Sequence, residues 1–179
     1  EQGILNEEEI LTAIMNTCVF VNECEDIVFD KSFKIPNLYK EMNYNERGEY
    51  LKNFLLSEYE EEDYKAKEKL EGVFYEFNEI NESKVIDYFL TNERIINTAV
   101  NKFNGILTTT GRGSASSYII NKLLGFTTID RFTSDIPIYP ERFLTKERIL
   151  SHQMPDIDFN IAEQEPFVKA SRELLGEHS

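Results

Sequence analysis

The stretch that decides the expected fold is residues 154–161, which read Met-Pro-Asp-Ile-Asp-Phe-Asn-Ile. Apolar and polar residues alternate along it, and a period of two is the pattern of a β-strand with one buried face. Ile157, Phe159 and Ile161 fall on one face of such a strand, and Asp156, Asp158 and Asn160 fall on the other. The pattern therefore predicts a strand that carries two neighbouring carboxylates.

Residues on the same face of a strand lie roughly 7 Å apart at Cα, so the carboxylates of Asp156 and Asp158 can share bound cations. Mg²⁺ prefers one or two carboxylates together with substrate phosphates and water, an arrangement that suits two-metal phosphoryl transfer. A strand with a solvated acidic face is the other interpretation. An EF-hand is excluded, because Ile161 replaces the required glycine and Phe167 the closing glutamate.

Upstream, residues 140–148 read Pro-Glu-Arg-Phe-Leu-Thr-Lys-Glu-Arg and place three cations, Arg142, Lys146 and Arg148, within seven residues. Cations at this density can be held for a polyphosphate. A charged surface helix that begins at Pro140 explains the same residues.

Further upstream, the β-branched segment 106–110 predicts a short strand that leads into Gly111-Arg112-Gly113-Ser114, and a helix that ends at Gly125 follows. A strand, a glycine loop and a helix form a phosphate-binding arrangement, because the loop backbone and the helix N–H groups can approach an anion. Ser114 adds a hydroxyl donor and Arg112 a charge-assisted one. No Gly-Lys-Ser/Thr follows at P-loop spacing, and an ordinary turn remains an alternative.

The remaining chain predicts mainly helices. Residues 7–25 predict a helix whose N-cap is Asn6, with Glu9 as the capping-box partner. Further amphipathic segments cover residues 46–58, 63–80 and 84–103, and residues 26–45 predict an extended segment. The acidic run at residues 58–63 is interpreted as a solvated helix start.

The composition is that of a globular chain, with 41% hydrophobic and 29% charged residues among 179. The net charge is −14, which argues against a free-standing nucleic-acid-binding domain. Residues 102–160, however, hold seven Lys/Arg against six Asp/Glu, so the acidic excess lies outside the stretch with the motifs. Two cysteines, Cys18 and Cys24, predict free thiols in a reducing compartment.

In combination, three motifs resemble the family of the bacterial DNA polymerase III alpha subunit (family C). They are the Gly-Arg-Gly-Ser-Ala run at 111–115, the Glu-Arg-Phe-Leu run at 141–144 with Glu147-Arg148, and the Met-Pro-Asp-Ile-Asp-Phe run at 154–159. Asp87-Tyr88-Phe89-Leu90 also looks like the helix before the loop in that family. The resemblance covers residues 70–161 in the family's order and at similar spacing. It departs from the family pattern at Thr109-Thr110, at Asn160, and in the extra length that Ser151-His152-Gln153 adds before the aspartates.

The resemblance implies an α+β fold, a nucleotidyltransferase-like palm related to that of DNA polymerase beta, with a small sheet and a helix-rich N-terminal half. Residues 1–65 would be the helical part that follows an absent PHP domain, and residues 66–179 would be a partial palm. We expect an internal segment that is inactive alone, because the family's third catalytic aspartate lies downstream of Ser179.

The activity that the resemblance implies is template-directed transfer of deoxynucleotides to a primer 3′ end. Asp156 and Asp158 would be catalytic and bind two Mg²⁺ ions. The nucleotide-binding residues would be Gly111, Arg112, Gly113, Ser114, Arg142 and Arg148. Primer-template DNA and a deoxynucleoside triphosphate (dNTP) would be the substrates, a sliding clamp and other replisome subunits would bind through absent regions, and the location would be cytoplasmic, without a membrane partner.

Two other functions compete with this interpretation. A nucleotidyltransferase without a template would share the glycine-serine loop and the paired aspartates, and template dependence separates it from a polymerase. A non-catalytic acidic interaction module would account for the charge of −14. It predicts that replacing Asp156 and Asp158 changes neither metal nor nucleotide binding.

Overall fold

The structure, a computed structural model, describes residues 6–24, 29–30, 32–59, 65–108 and 113–177. It divides into two compact units, Glu1–Ser32 and Phe33–Ser179. The α-helices within the described residues are α1 Glu7–Glu23, α2 Tyr44–Ser57, α3 Ala66–Glu82, α4 Ile86–Phe103, α5 Ile119–Leu123, α6 Lys146–Leu150 and α7 Glu165–Leu175. Two short 3₁₀ helices cover Ser114–Ser117 and Pro140–Arg142.

The first unit contains α1, and its start confirms the predicted capping box. The Glu9 backbone N–H donates to Asn6 Oδ1 at 2.9 Å, and the Asn6 N–H donates to Glu9 Oε2 at 2.8 Å. These two bonds satisfy donors that a helix start otherwise leaves without partners. Cys18 and Cys24 are free thiols.

In the second unit, α2 begins two residues before the predicted start, because Asn43 and Glu46 form another capping box. The predicted helices at 63–80 and 84–103 correspond to α3 and α4. Helix α4 ends at Asn104, which has φ +55°, and the Gly105 N–H donates to the Ala99 carbonyl at 2.8 Å. The left-handed residue at this helix end is Asn104, although the next residue is Gly105, the residue type that most often takes this position.

The core lies between α2, α3, α4 and α5, and the segment after Pro140 closes it. Phe143 and Leu144, each 1% exposed, are buried there. The Phe143 ring meets Tyr118 edge-on at 4.9 Å between centroids and meets Phe89 at 6.2 Å. The Tyr118 hydroxyl donates to the Leu144 carbonyl at 2.8 Å, which leaves this buried hydroxyl satisfied. The Glu-Arg-Phe-Leu run is thus anchored through its two apolar residues.

The predicted α+β fold is wrong for the described residues, which are helical and contain no strand or sheet. The segments expected as strands, 106–110 and 154–161, meet in one antiparallel bridge between Leu107 and Ile161. The Thr108 N–H donates to the Asn160 carbonyl at 2.8 Å, and the Ala162 N–H donates to the Ile106 carbonyl at 3.0 Å. Alternation specifies an extended backbone with two faces, but a strand also needs a partner at successive residues, and the pattern does not supply one.

Two further elements differ from the sequence prediction. A 3₁₀ turn, Ser114–Ser117, stands between the glycine loop and α5, where one continuous helix was expected. Helix α7 was not predicted, although Pro166 near its start and the apolar spacing of Phe167, Ala170 and Leu174 are helix signals. In the part of the chain that the structure describes, no helix is long and apolar enough to cross a membrane.

Candidate nucleotide and metal site

The segment with the paired aspartates is extended, and its two faces differ in exposure as the alternation predicts. Asp156 and Asp158 are exposed, whereas Ile157 and Phe159 are half-buried and pack against the core. The Phe159 ring meets Phe126 edge-on, with 5.5 Å between centroids. The apolar face anchors the segment, so both carboxylates remain accessible to solvent.

Hydrogen bonds hold this segment at both ends. The Tyr88 hydroxyl on α4 donates to the Pro155 carbonyl at 2.9 Å, one residue before Asp156. The bridge between Leu107 and Ile161 holds the other end, beyond Asp158. Tyr88 lies in the motif at residues 87–90, but that motif does not predict its contact with the aspartate segment.

The pKa of the Tyr88 hydroxyl reflects the negative charge of the two aspartates. Burial raises the pKa of its hydroxyl above the ordinary value of 10.0, and the negative charges of Asp156 and Asp158 raise it further. The Ile157 backbone acts in the opposite direction. The hydroxyl therefore keeps its proton at neutral pH and remains a donor to Pro155.

The glycine loop and the aspartates meet at Gly113 and Asp158. Gly113 has φ +65°, and a Cβ added there would lie 3.3 Å from Cγ of Asp158 and closer still to its Oδ2. The Asp158 carboxylate thus occupies the space that any side chain at position 113 would need. Two motifs that are 45 positions apart in sequence are brought together at this contact. Gly111 and Arg112 lie outside the described residues, as do Thr109 and Thr110.

Ser114 begins the 3₁₀ turn and is half-buried. The turn is closed by its own hydroxyls, since Ser116 Oγ donates to the Gly113 carbonyl at 3.2 Å and Ser117 Oγ donates to the Ser114 carbonyl at 2.7 Å. The sequence motif identified Ser114 but not these two hydroxyls.

The backbone amides at the start of α5 were expected to be available to a phosphate, but in the structure they bind a protein side chain. Ile119 N–H and Ile120 N–H donate to the two carboxylate oxygens of Glu76 at 3.1 and 3.0 Å. Glu76 belongs to α3 and is fully buried. A protein carboxylate therefore occupies the anion position at this helix start, so phosphate contacts would fall to the turn at Gly113 and Ser114.

The predicted basic cluster is divided between two short helices. Arg142 ends the 3₁₀ helix Pro140–Arg142 and is exposed, and half-buried Arg148 lies in α6. Nη1 of Arg148 donates to the Arg142 carbonyl at 2.7 Å and to the Phe143 carbonyl at 3.3 Å. Lys146 pairs with Glu82 at 2.8 Å. Arg148 thus ties the two helices together, whereas Arg142 presents its charge to solvent.

The acidic pair fits a hard cation that is shared with a substrate. Among the residues described, no three His, Cys, Asp or Glu side chains gather into a metal-binding group. Two exposed carboxylates from one extended segment leave most coordination positions to phosphate oxygens and water, which is how Mg²⁺ is commonly held. The arrangement therefore suits a metal ion that is coordinated jointly by the protein and a nucleotide, and not one that is enclosed by protein ligands alone.

The chain is similar to known proteins of one family. The family described as bacterial DNA polymerase III alpha NTPase domain matches residues 44–178. The DNA polymerase III subunit alpha of Staphylococcus aureus (strain MRSA252) is 35% identical over 108 residues, which is 60% of this chain and 10% of that protein. Its counterpart in Staphylococcus epidermidis (strain ATCC 35984) is 31% identical over 130 residues, 73% of this chain and 12% of that protein.

The chain therefore belongs to the family of bacterial DNA polymerase III alpha subunits. It spans about a tenth of the length of these relatives. No solved structure matches it.

Proposed function

We propose that this chain is a segment of a DNA-directed DNA polymerase that transfers deoxynucleotides to a primer 3′ end under the direction of a template. The observation that carries the proposal is the contact between Gly113 and Asp158, in a chain whose family is that of DNA polymerase III alpha. A loop that approaches a triphosphate and a carboxylate that approaches a metal act on the same phosphoryl group only if they are neighbours.

In this proposal, Asp156 and Asp158 hold Mg²⁺ together with the triphosphate, and two ions bind in the complete site. The bound ions would favour ionisation of the primer hydroxyl and stabilise negative charge on the α-phosphoryl group. The primer oxygen forms the new bond to the α-phosphorus, and pyrophosphate leaves. The chain's own part is to keep two exposed carboxylates in place, through Tyr88 at one end of their segment and the bridge at the other.

The triphosphate would be bound by Gly111, Arg112, Gly113 and Ser114, with Arg142 and Arg148 as further phosphate contacts. The exposed Arg142 is the better of these last two for direct contact, because Arg148 already donates to two backbone carbonyls. Primer-template DNA and dNTPs are the substrates. A sliding clamp and other replisome subunits would bind elsewhere in the polymerase, and the expected location is the cytoplasm.

The test is templated primer extension with Mg²⁺ by the polymerase that carries this chain, comparing wild type with Asp156→Asn. Loss of a metal-binding carboxylate should slow extension by roughly a thousandfold or more. Asp135→Asn is the matched control, since Asp135 is an exposed aspartate in a different loop. It should extend at the wild-type rate.

Equal rates for wild type and Asp156→Asn would show that the metal assignment is wrong. Nucleotide addition without a template would favour the other nucleotidyltransferase class. If a folded wild-type polymerase adds nothing, and substitution of both aspartates leaves metal and nucleotide binding unchanged, the acidic interaction module takes precedence. The 179-residue chain alone should not extend a primer, because its aspartate segment supplies only two carboxylates.

A further inference from the structure

One face of α3 carries three glutamates at intervals of three residues, Glu76, Glu79 and Glu82. We call it the α3 acidic face. Its members contact the segments that follow the glycine loop and the segment with Arg148. Side chains three residues apart lie on the same side of a helix, so α3 presents these carboxylates as a row. Acids on helices are usually solvated, but two of these three have backbone amides as partners.

Glu76 is the buried end of the row. It is 0% exposed, and its oxygens accept hydrogen bonds from Ile119 N, Ile120 N and the Nε of Arg131, the last at 3.0 Å. A second guanidinium nitrogen of Arg131 lies 2.9 Å from the same carboxylate. A buried carboxyl group is costly unless it is paired and hydrogen-bonded, so these donors are what stabilise Glu76 at this position.

From α5, the connection continues to the glycine loop. Asn121, also 0% exposed, donates through Nδ2 to the Ala115 carbonyl at 2.8 Å, which joins α5 to the 3₁₀ turn Ser114–Ser117. That turn follows directly after Gly113, which lies against Asp158. Hydrogen bonds, together with the short backbone stretches between them, therefore connect Glu76 to the contact between Gly113 and Asp158.

Glu79 makes the corresponding contact with the basic segment. Its Oε2 accepts a hydrogen bond at 2.9 Å from the backbone N–H of Lys146, the first residue of α6. Helix α6 carries Arg148, and Arg148 holds the backbone at Arg142 and Phe143. The second glutamate thus fixes the start of the other segment that is expected to bind phosphate.

We propose that Glu76 and Glu79 are positioning residues, which hold the turn at Gly113 and Ser114 and the Arg148 segment in register on α3 so that both reach one triphosphate. This inference rests on the proposed function. Neither glutamate touches the nucleotide in this proposal, because Glu76 is enclosed and the Glu79 carboxylate is directed to a backbone amide. Their effect is on where Gly113, Ser114 and Arg148 lie.

The test compares Glu76→Gln with Glu93→Gln in the purified polymerase. Glutamine supplies one acceptor oxygen where Glu76 supplies two, so the α5 start and Arg131 lose partners. Glu93 is likewise a buried carboxylate, but its partner is Asn97 on its own helix α4. Steady-state primer extension gives KM for the dNTP and kcat per active enzyme, and hydrogen–deuterium exchange follows the amides of residues 113–120.

Glu76→Gln should raise KM for the dNTP about tenfold, with kcat per active enzyme changed by less than about threefold. The reason is that the turn at Gly113 and Ser114, having lost a hydrogen bond to its support, must be reordered when the dNTP binds, and a cost of about 1.4 kcal/mol corresponds to a tenfold change. The amides of residues 113–120 should exchange faster. Glu93→Gln should change neither. A variant that merely loses stability would lower the active fraction and leave KM alone.

If Glu76→Gln does not fold, Glu79→Ala carries the test, because Glu79 is only half-buried. It should raise KM in the same direction and speed exchange at the start of α6. An unchanged KM and unchanged exchange in the folded variant would overturn the proposal, as would equal behaviour of Glu76→Gln and Glu93→Gln. If the wild type extends no primer, the proposed function fails, while the exchange measurement still tests whether these glutamates hold the two segments.

Discussion

Gly113 and Gly125 both have a positive φ, +65° and +75°, but only Gly113 has a side chain in the space where its Cβ would be. An alanine at Gly125 incurs the strain of a positive φ, on the order of 1 kcal/mol. At Gly113 the backbone strain is larger, about 1–3 kcal/mol, because φ +65° with ψ −160° is a conformation essentially restricted to glycine. An alanine at Gly113 must also displace the Asp158 carboxylate. The two glycines therefore compare backbone strain alone with strain combined with the contact at the site.

We expect Gly125→Ala to lower the free energy of unfolding by about 1 kcal/mol. We expect Gly113→Ala to lower it by more, about 1–3 kcal/mol, because of its backbone conformation and the Asp158 carboxylate. Only Gly113→Ala should impair nucleotide addition, by at least about tenfold. Denaturant unfolding and primer extension measure the two effects. Equal activity of the two variants would show that the contact with Asp158 has no part in function.

The pKa of Glu76 predicts how the stability of the chain depends on pH. Burial raises its pKa from 4.5 to about 7, although the backbone N–H of Ile120 and the charge of Arg131 act to lower it. Between these pH values the folded chain keeps a proton that the unfolded chain has lost. The stability associated with Glu76 is therefore complete below pH 4.5 and declines as the pH rises towards about 7.

Glutamine does not titrate, so Glu76→Gln should remove this contribution. The difference in unfolding free energy between wild type and variant should change by up to roughly 3 kcal/mol between pH 4.5 and 7. Urea unfolding at a series of pH values measures it. Parallel pH profiles for the two proteins would contradict the prediction.

At the scale of elements, two ion pairs connect neighbouring helices to α4 in different surroundings. Arg47 on α2 pairs with Asp87 at 2.6 Å, and both side chains are largely buried, 10% and 15% exposed. Lys102 pairs with Glu173 on α7, and both of these side chains are exposed, 59% and 41%. Burial makes the loss of one partner costly, whereas an exposed pair is screened by solvent.

Asp87→Ala should therefore reduce the free energy of unfolding by about 3–5 kcal/mol, because it leaves the Arg47 guanidinium buried without its carboxylate. Glu173→Ala should cost at most about 1 kcal/mol. Thermal or denaturant unfolding of the two variants provides the comparison. Similar losses would mean that the buried pair contributes no more than a surface one.

The helices were the predictable part of this fold. The pair Asn6 and Glu9 predicts the start of α1, and the apolar spacing of Val73 and Phe77 predicts α3. The caps and stripes that define a helix are local in sequence, so a single chain suffices to find them. The same local logic could have found the start of α2 at Asn43.

The failed sheet prediction shows where local patterns end. The segment around Asp156 is extended and has the expected exposed and half-buried faces, but strand pairing depends on a partner distant in sequence. Among the described residues, Leu107 with Ile161 is the one pair that meets that condition. The burial of Glu76 was also beyond reach, because a glutamate on a helix is ordinarily at the surface. Its partners Ile119 and Ile120 are identified only by the tertiary fold.

For the candidate site, the sequence motifs name residues but say nothing of the contacts between them. The motif named Gly113 and Asp158, and the structure adds that they touch. Tyr88 was named for its place in a motif, whereas its hydrogen bond to Pro155 is a property of the fold. Spacing in sequence identifies candidate groups, and tertiary contacts decide which of them can act together.

At the scale of the whole molecule, the charge of −14 predicts weak association with DNA. Residues 102–160 are nearly neutral, so most of the acidic excess would repel phosphates from the remainder of the chain. The 179-residue chain alone should bind a primer-template more weakly than ~0.1 mM at physiological salt. Fluorescence anisotropy with labelled DNA measures this, and micromolar affinity that disappears as salt is added would contradict it.

The bridge between Leu107 and Ile161 also bears on the order of folding. It closes a loop of more than fifty residues, for which the entropic cost is roughly 3–4 kcal/mol before any stiffening of the chain. Its two hydrogen bonds contribute only about 2 kcal/mol of stabilisation. The bridge becomes favourable only after α5 and α6 have shortened the loop by packing on α3, so the aspartates and the glycine turn should meet late, when most helices already exist.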